Sequence, residues 1–195
     1  MRIQDKLISL RNKRGFTLVE LMIVVAIIGV LAALAIYGVR KYLTNAKSAE
    51  ARTAVGRIAK DASVAYEREN MAATVVALKD SVDITHELCP QSTLVPATLA
   101  EVSNQKYQSD PGEWNAAGWN CLKFSMSDPQ YFQYQYLVPV AGGADGANFD
   151  AQAHGDLDGD GTPSTFALAG LVQTGSGGEL VLTLAPTIRE DAAEE

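Results

Sequence analysis

From Leu21 to Val39 the chain has no charged side chain. At ~1.5 Å per residue such a run reaches about 28 Å as a helix, close to the hydrocarbon thickness of a bilayer. No other stretch of the 195 residues is apolar for as long, which excludes a polytopic membrane protein and disfavours a purely cytosolic enzyme. A carboxylate, Glu20, nevertheless lies inside the apolar block Phe16–Val39. On insertion scales an acid in lipid costs roughly 2.5–3.5 kcal/mol, so it marks a functional position with a partner to be found.

The charge is divided along the chain. Residues 1–15 hold Arg2, Lys6, Arg11, Lys13 and Arg14 against Asp5, and residues 40–68 hold seven bases against Glu50, Asp61 and Glu67, each a net of +4. Residues 69–195 hold four bases against eighteen acids, a net of −14; with Glu20 the whole chain comes to −7. An acidic region of this size has no electrostatic reason to hold a phosphate backbone, so no nucleic-acid partner is expected for it. The basic start followed by the apolar run fits a signal peptide, with Ala33-Leu34-Ala35 as its cleavage pattern, or a simple anchor. The run exceeds the 7–15 residues usual for a signal core, and neither reading needs Glu20. The positive-inside rule keeps the basic end cytoplasmic and places residues 40–195 outside.

The segment Lys13-Arg14-Gly15-Phe16-Thr17-Leu18-Val19-Glu20-Leu21-Met22-Ile23, continued without charge through Gly29 to Ala33, resembles the N-terminus of type IV pilins and their relatives. The resemblance implies a leader, residues 1–15, cut by a prepilin peptidase after Gly15, and methylation of the new N-terminal Phe16. It makes Glu20 the assembly residue, paired with the N-terminal amine of a neighbouring copy. It further implies copies of the chain and related pilins as partners in a helical filament, assembled on an inner-membrane platform. The precursor is then a single-span inner-membrane protein with its head outside, and the product an extracellular pilus. Many type IV pilins carry a proline near the position of Tyr37-Gly38, so here any loosening of the helix falls to Gly29 and Gly38.

The helical period runs on to about residue 70. Ala51, Val55, Ile58, Ala62 and Ala65 form one apolar stripe of mostly small residues, which predicts a helix over 16–70. Its first part, 16–39, is the transmembrane and assembly half; 40–70 is the amphipathic half. Met71–Val82 reads as a short helix or a crossover, and Pro90, Pro96, Pro111, Asn115 and Gly118 punctuate a loop region. Strands are predicted at Cys121–Met126, Tyr131–Val138, Ala147–His154, Ser164–Val172 and Glu179–Ala185. Phe132, Tyr134, Tyr136 and Val138 share a face opposite Gln133 and Gln135; that face either meets the helix or forms an adhesive surface. The expected fold is α+β, a long helix on an antiparallel sheet, with the head over 71–189 and an acidic, solvated tail over 190–195.

Cys89 and Cys121 are the only cysteines, and both fall in the exported part, where an even pair reads as a disulfide. A catalytic thiol is the lesser reading, because His86 lies three residues from Cys89 with no orienting acid and His154 is the only other histidine. No catalytic residues are assigned and the chain reads as a non-enzyme. The one chemical motif of the head is Asp156-Leu157-Asp158-Gly159-Asp160-Gly161, which opens like an EF-hand loop but has Ala167 where the bidentate glutamate belongs. Either the loop is a solvated turn, or Asp156, Asp158 and Asp160 hold calcium, with carbonyls, water, Asp145 or Asp150 completing the shell. Calcium is the only cofactor considered. Four functions stand at this point: a pilus subunit, a pseudopilin of a type II secretion system, a minor or tip pilin with a binding role, and an anchored binding module or enzyme. A chain that would keep 180 residues after loss of 15, with a cysteine pair, leans to the first.

Overall fold

The structure, a computed structural model, describes residues 15–68 and 85–193. The expected element at Met71–Val82 lies outside the described residues. The chain divides into two compact units, residues 1–41 and 42–195, and one helix, α1 (Leu18–Tyr66), contributes to both. In the first unit every described residue is exposed. In the second, α1 buries the expected stripe, Ala51, Val55, Ile58, Ala62 and Ala65, widened by Ser48, Ala54, Ala59 and Tyr66. The helix ends four residues short of the expected limit. At its end the Arg68 N–H donates to the Ala65 carbonyl at 3.3 Å, a tightened last turn.

The sheet is an antiparallel meander of β1 (Gln133–Val140), β2 (Asn148–Gly155), β3 (Ser164–Thr174) and β4 (Leu180–Leu184), in that spatial order. Its inner face alternates large and small side chains across the strands. Tyr134 stands opposite Ala153, which stands opposite Phe166; Tyr136 stands opposite Ala151, which stands opposite Leu168. Phe132, Tyr134, Tyr136, Phe149 and Phe166 are all buried, so the aromatic face is core and the adhesive-surface reading falls. Gly170 makes room for one of these rings, because a Cβ there would fall on the ring of Phe149.

Polar contacts fix where the helix meets this face. Glu50 Oε1 accepts from the Tyr131 N–H at 2.9 Å and the Tyr134 hydroxyl at 3.1 Å. Arg52 clasps Glu190 with both fork nitrogens, at 2.7 and 2.9 Å, while its guanidinium lies over Phe166. The tail therefore departs from expectation. Arg189–Asp191 form β5, paired with Thr165–Ala167 of β3, and the Arg52 fork holds Glu190 on that strand.

Cys121–Met126 also differs from expectation. Residues Ala117–Leu122 form a short helix, α2, followed by Lys123 in the left-handed conformation. Tertiary packing overrides local strand preference here. Gly118 abuts the backbone of Pro90–Ser92 so closely that a Cβ would clash. Trp114, Trp119 and Phe124 cluster beneath, with ring centroids 5.1–5.4 Å apart. Cys89 and Cys121 are joined in a disulfide across a sequence separation of 32 residues. By chain entropy a loop of that length adds about 3.5–4 kcal/mol of stability. Nearby, Ser92 and Val95 bond along the outer edge of β1, to Tyr136 and Tyr134. The same segment covers Gln133, expected on the polar face, which is buried and donates to the Pro96 carbonyl at 2.8 Å.

Two stability effects follow. Gly170→Ala is expected to destabilise the head by ~1–3 kcal/mol through overpacking against Phe149, measured by thermal melting of the full chain in detergent. Burial pushes the Glu50 carboxyl up, and the bonds from Tyr131 and Tyr134 and the charge of Lys106 only partly oppose it. A raised folded-state value means the folded chain binds this proton more tightly than the unfolded chain, so the group's contribution is present at low pH and is lost as pH rises. Glu50→Gln keeps the acceptor and loses the charge. It should melt above wild type at neutral pH, with the difference closing below about pH 4. Glu50→Ala, which loses both bonds, should melt below wild type at both values, by ~1–3 kcal/mol.

Candidate functional site

Gly15, Phe16 and Thr17 are exposed and non-helical, and α1 begins immediately after them. The start is set by a reciprocal cap. The Thr17 hydroxyl oxygen accepts from the Glu20 N–H at 3.2 Å, while Glu20 Oε2 accepts from the Thr17 N–H at 2.8 Å and the Thr17 hydroxyl at 2.9 Å. This is the capping box of Ser/Thr and Glu at a spacing of three, and it also sets a negative charge at the positive end of the helix dipole. Thr17 was not among the expected site residues, although Thr17-x-x-Glu20 carries the signature. Among the described residues no hydrogen bond reaches Glu20 Oε1, so one oxygen caps the helix and the other stays open to a second donor.

Beyond the cap the helix is apolar on every side. Leu18, Met22, Val25, Ile28, Leu31, Leu34 and Val39 are all more than half exposed. Among the described residues α1 is the one helix long and apolar enough to cross a membrane, and that window is 0% buried. A helix that is hydrophobic all round needs lipid or protein on every face. Gly29 and Gly38 lie within it and meet nothing within 4 Å, so no local contact explains them.

In the acidic loop, one oxygen from each of Asp156, Asp158 and Asp160 lies within 4.8 Å of the others, with Asp156 buried and the other two exposed. Asp156 accepts from the Ser103 hydroxyl at 2.8 Å and from the N–H groups of Gly159 and Gly161 at 2.7 and 3.2 Å. Burial works to raise its carboxyl, but these bonds outweigh it and hold the group below its usual range. Asp158 and Asp160 each accept from the backbone N–H two residues on, at 3.2 and 2.7 Å. Gly159 and Gly161 take the positive φ that the turns require. Chemically the loop offers hard oxygen donors of the kind calcium takes, but two of the expected completing groups are elsewhere. Asp145 accepts from the Thr174 N–H at the far end of β3, and Asp150 sits opposite Ala169 in mid-sheet. Ala167 is on β3, paired with Gln152.

The catalytic-thiol reading fails, because both cysteines are consumed in the disulfide. His86 Nδ1 instead lies 3.0 Å from the Tyr66 carbonyl. His154 is hydrogen-bonded between Thr165 and Gln152 on the sheet.

Residues 10–36 match the prokaryotic N-terminal methylation motif. The chain is 60% identical over 42 residues to the type IV major pilin protein PilA of Myxococcus xanthus (strain DK1622), covering 22% of this chain and 19% of that protein. It is 54% identical over 41 residues to a fimbrial protein of Moraxella nonliquefaciens, covering 21% and 27%. To the type IV major fimbrial protein FimA of Dichelobacter nodosus it is 58% identical over 38 residues, covering 20% and 24%. The matches thus span about a fifth to a quarter of each relative's length. No solved structure matches the chain. The N-terminal segment, a methylation motif leading into a capped apolar helix, is thus similar to that of type IV pilins and fimbrial proteins.

Proposed function

We propose that the chain is a structural subunit of an extracellular type IV pilus, processed by a prepilin peptidase and assembled through α1. The observation that carries this is the junction at Gly15–Thr17. An exposed, non-helical peptide precedes a capping box whose acid keeps one oxygen open, at the head of an apolar helix exposed on all sides. Extended chain fits a peptidase cleft, and glycine offers no side chain to obstruct it. Cleavage after Gly15 takes away the +4 leader and creates an α-amine at Phe16. An acid in lipid wants a cation, and a neighbour's Phe16 amine on Glu20 Oε1 supplies one while Oε2 keeps the cap. The precursor then spans the inner membrane once, with the leader cytoplasmic and the head outside. Its partners are the peptidase, the assembly platform and further pilin copies. The relatives named as major pilins and the disulfide-bonded head favour a pilus over a secretion pseudopilus, and catalysis plays no part in the role.

Mass spectrometry of the mature chain is expected to find N-methylated Phe16 at its start. A start at Ile36, after Ala35, would return the chain to ordinary signal-peptide processing. Glu20→Ala should insert in the membrane as well as wild type or better, having lost a charge worth roughly 2.5–3.5 kcal/mol in lipid, yet give few or no filaments. Thr17→Ala should weaken the cap by ~0.5–2 kcal/mol and lower filament yield less than Glu20→Ala does. Normal filament yield from Glu20→Ala refutes the pairing role.

A further inference from the structure

An aspartate followed by glycine is a chemical weak point in any chain. The glycine nitrogen can attack the side-chain carbon of the protonated aspartate. An N–Cγ bond forms, the Cγ–OH bond breaks, and the hydroxyl leaves with the amide proton as water. A second water then opens the ring at the main-chain carbonyl, so that the backbone runs on through Cβ and Cγ. Glycine suits the reaction because no Cβ hinders ring closure. The product, isoaspartate, lengthens the main chain by one atom, which a tight turn cannot absorb.

The sequence holds three such steps, Asp145-Gly146, Asp158-Gly159 and Asp160-Gly161, and no Asn-Gly step. In all three the N–H of the attacking nitrogen is already committed. The Gly146 N–H donates to the Val172 carbonyl at 3.0 Å. The other two go to the two oxygens of one carboxylate: Gly159 to Asp156 Oδ1 at 2.7 Å, and Gly161 to Asp156 Oδ2 at 3.2 Å. Asp156 is only 3% exposed, and the Ser103 hydroxyl holds its Oδ2 at 2.8 Å. Asp158 and Asp160 are exposed. The clamp is therefore buried, while the carboxyls that would react stand in water.

We propose that Asp156 guards this loop against its own chemistry, holding both glycine nitrogens so that Asp158 and Asp160 do not isomerise. Two effects act together. A hydrogen bond to a carboxylate is stronger than one between neutral groups, and the nitrogen cannot swing onto Cγ without breaking it. The nearby negative charge also opposes loss of the amide proton, and it is the deprotonated nitrogen that attacks. The two bonds are unequal. Gly161 has the longer one and shares its oxygen with Ser103, which makes Asp160 the weaker point. This role needs no bound ion and stands apart from the assembly role proposed above.

The test is site-resolved isoaspartate analysis by fragmentation mass spectrometry, after prolonged warm incubation of the full chain in detergent and chelator. Folded wild type is expected to stay near its starting level at all three sites, and wild type unfolded in denaturant to form isoaspartate at all three. Asp156→Ala should raise isoaspartate severalfold at Asp158 and Asp160 while Asp145, whose glycine is held by Val172, stays as it was. Asp156→Asn is more selective. Keeping the shorter bond, its oxygen holds the Gly159 N–H and its amide nitrogen turns to the Ser103 hydroxyl, so the Gly161 N–H loses its acceptor. Asp160 should then isomerise severalfold faster than Asp158. Wild type that reacts at Asp158 or Asp160 as fast folded as unfolded overturns the proposal, as does Asp156→Ala with both sites unchanged. Should Asp156→Ala loosen the whole head, Asp145 will rise with the others, and the order of Asp160 and Asp158 in Asp156→Asn decides: Asp160 ahead supports the guard, and equal rates refute it.

Discussion

The side-chain packing of α1 on the sheet is the contact on which the rest of the head depends. Ala51, Ala54, Ala59, Ala62 and Ala65 give the helix a nearly smooth buried face, and the strands answer with Phe132, Tyr134, Tyr136, Phe149 and Phe166. Most of the bulk is placed on the sheet, with Val55, Ile58 and Tyr66 the larger side chains that the helix buries. Within the sheet the same economy recurs, with Ala151 and Ala153 separating large neighbours. Interiors packed this way leave little tolerance for added volume, whichever side it comes from.

Apolar packing alone would let a smooth helix slide or rotate, so directional contacts fix its register. Glu50 answers the start of β1, Arg52 clasps Glu190 on β5, and Arg68 donates to the Cys121 carbonyl at 3.0 Å, beside the disulfide. Lys47 and Lys106 lie over the Tyr131 ring, at 4.8 and 4.7 Å from its centroid. Each is modest alone. Their value is positional, since together they touch α1 near both ends of its buried stretch.

Periodicity made the helix legible before any coordinates. The stripe from Ala51 to Ala65 repeats at helical spacing, and the strands of the meander alternate clearly enough to place within a few residues. The failures share one cause, contacts distant in sequence. Cys121–Met126 has strand composition, but Gly118 against Pro90–Ser92 and the disulfide decide its shape. Glu190 looks like part of a solvated tail until β5 brings it beside Arg52. Gln133 looks like a polar-face residue until Pro96 covers it. Thr17 is a different case: its signature is local, but Glu20 reads first as an acid in lipid, which hides its second role as a cap.

The cap at Thr17 also bears on what removal of a leader can change. Among the described residues, every hydrogen bond that starts α1 lies on the C-terminal side of the Gly15–Phe16 peptide. Cutting that bond would leave the first turn with all its donors and acceptors in place. Under the proposed processing, maturation at this site would be an electrical event on a scaffold already capped: positive charge would leave with residues 1–15, one new cation would appear at Phe16, and the first turn would have nothing to refold.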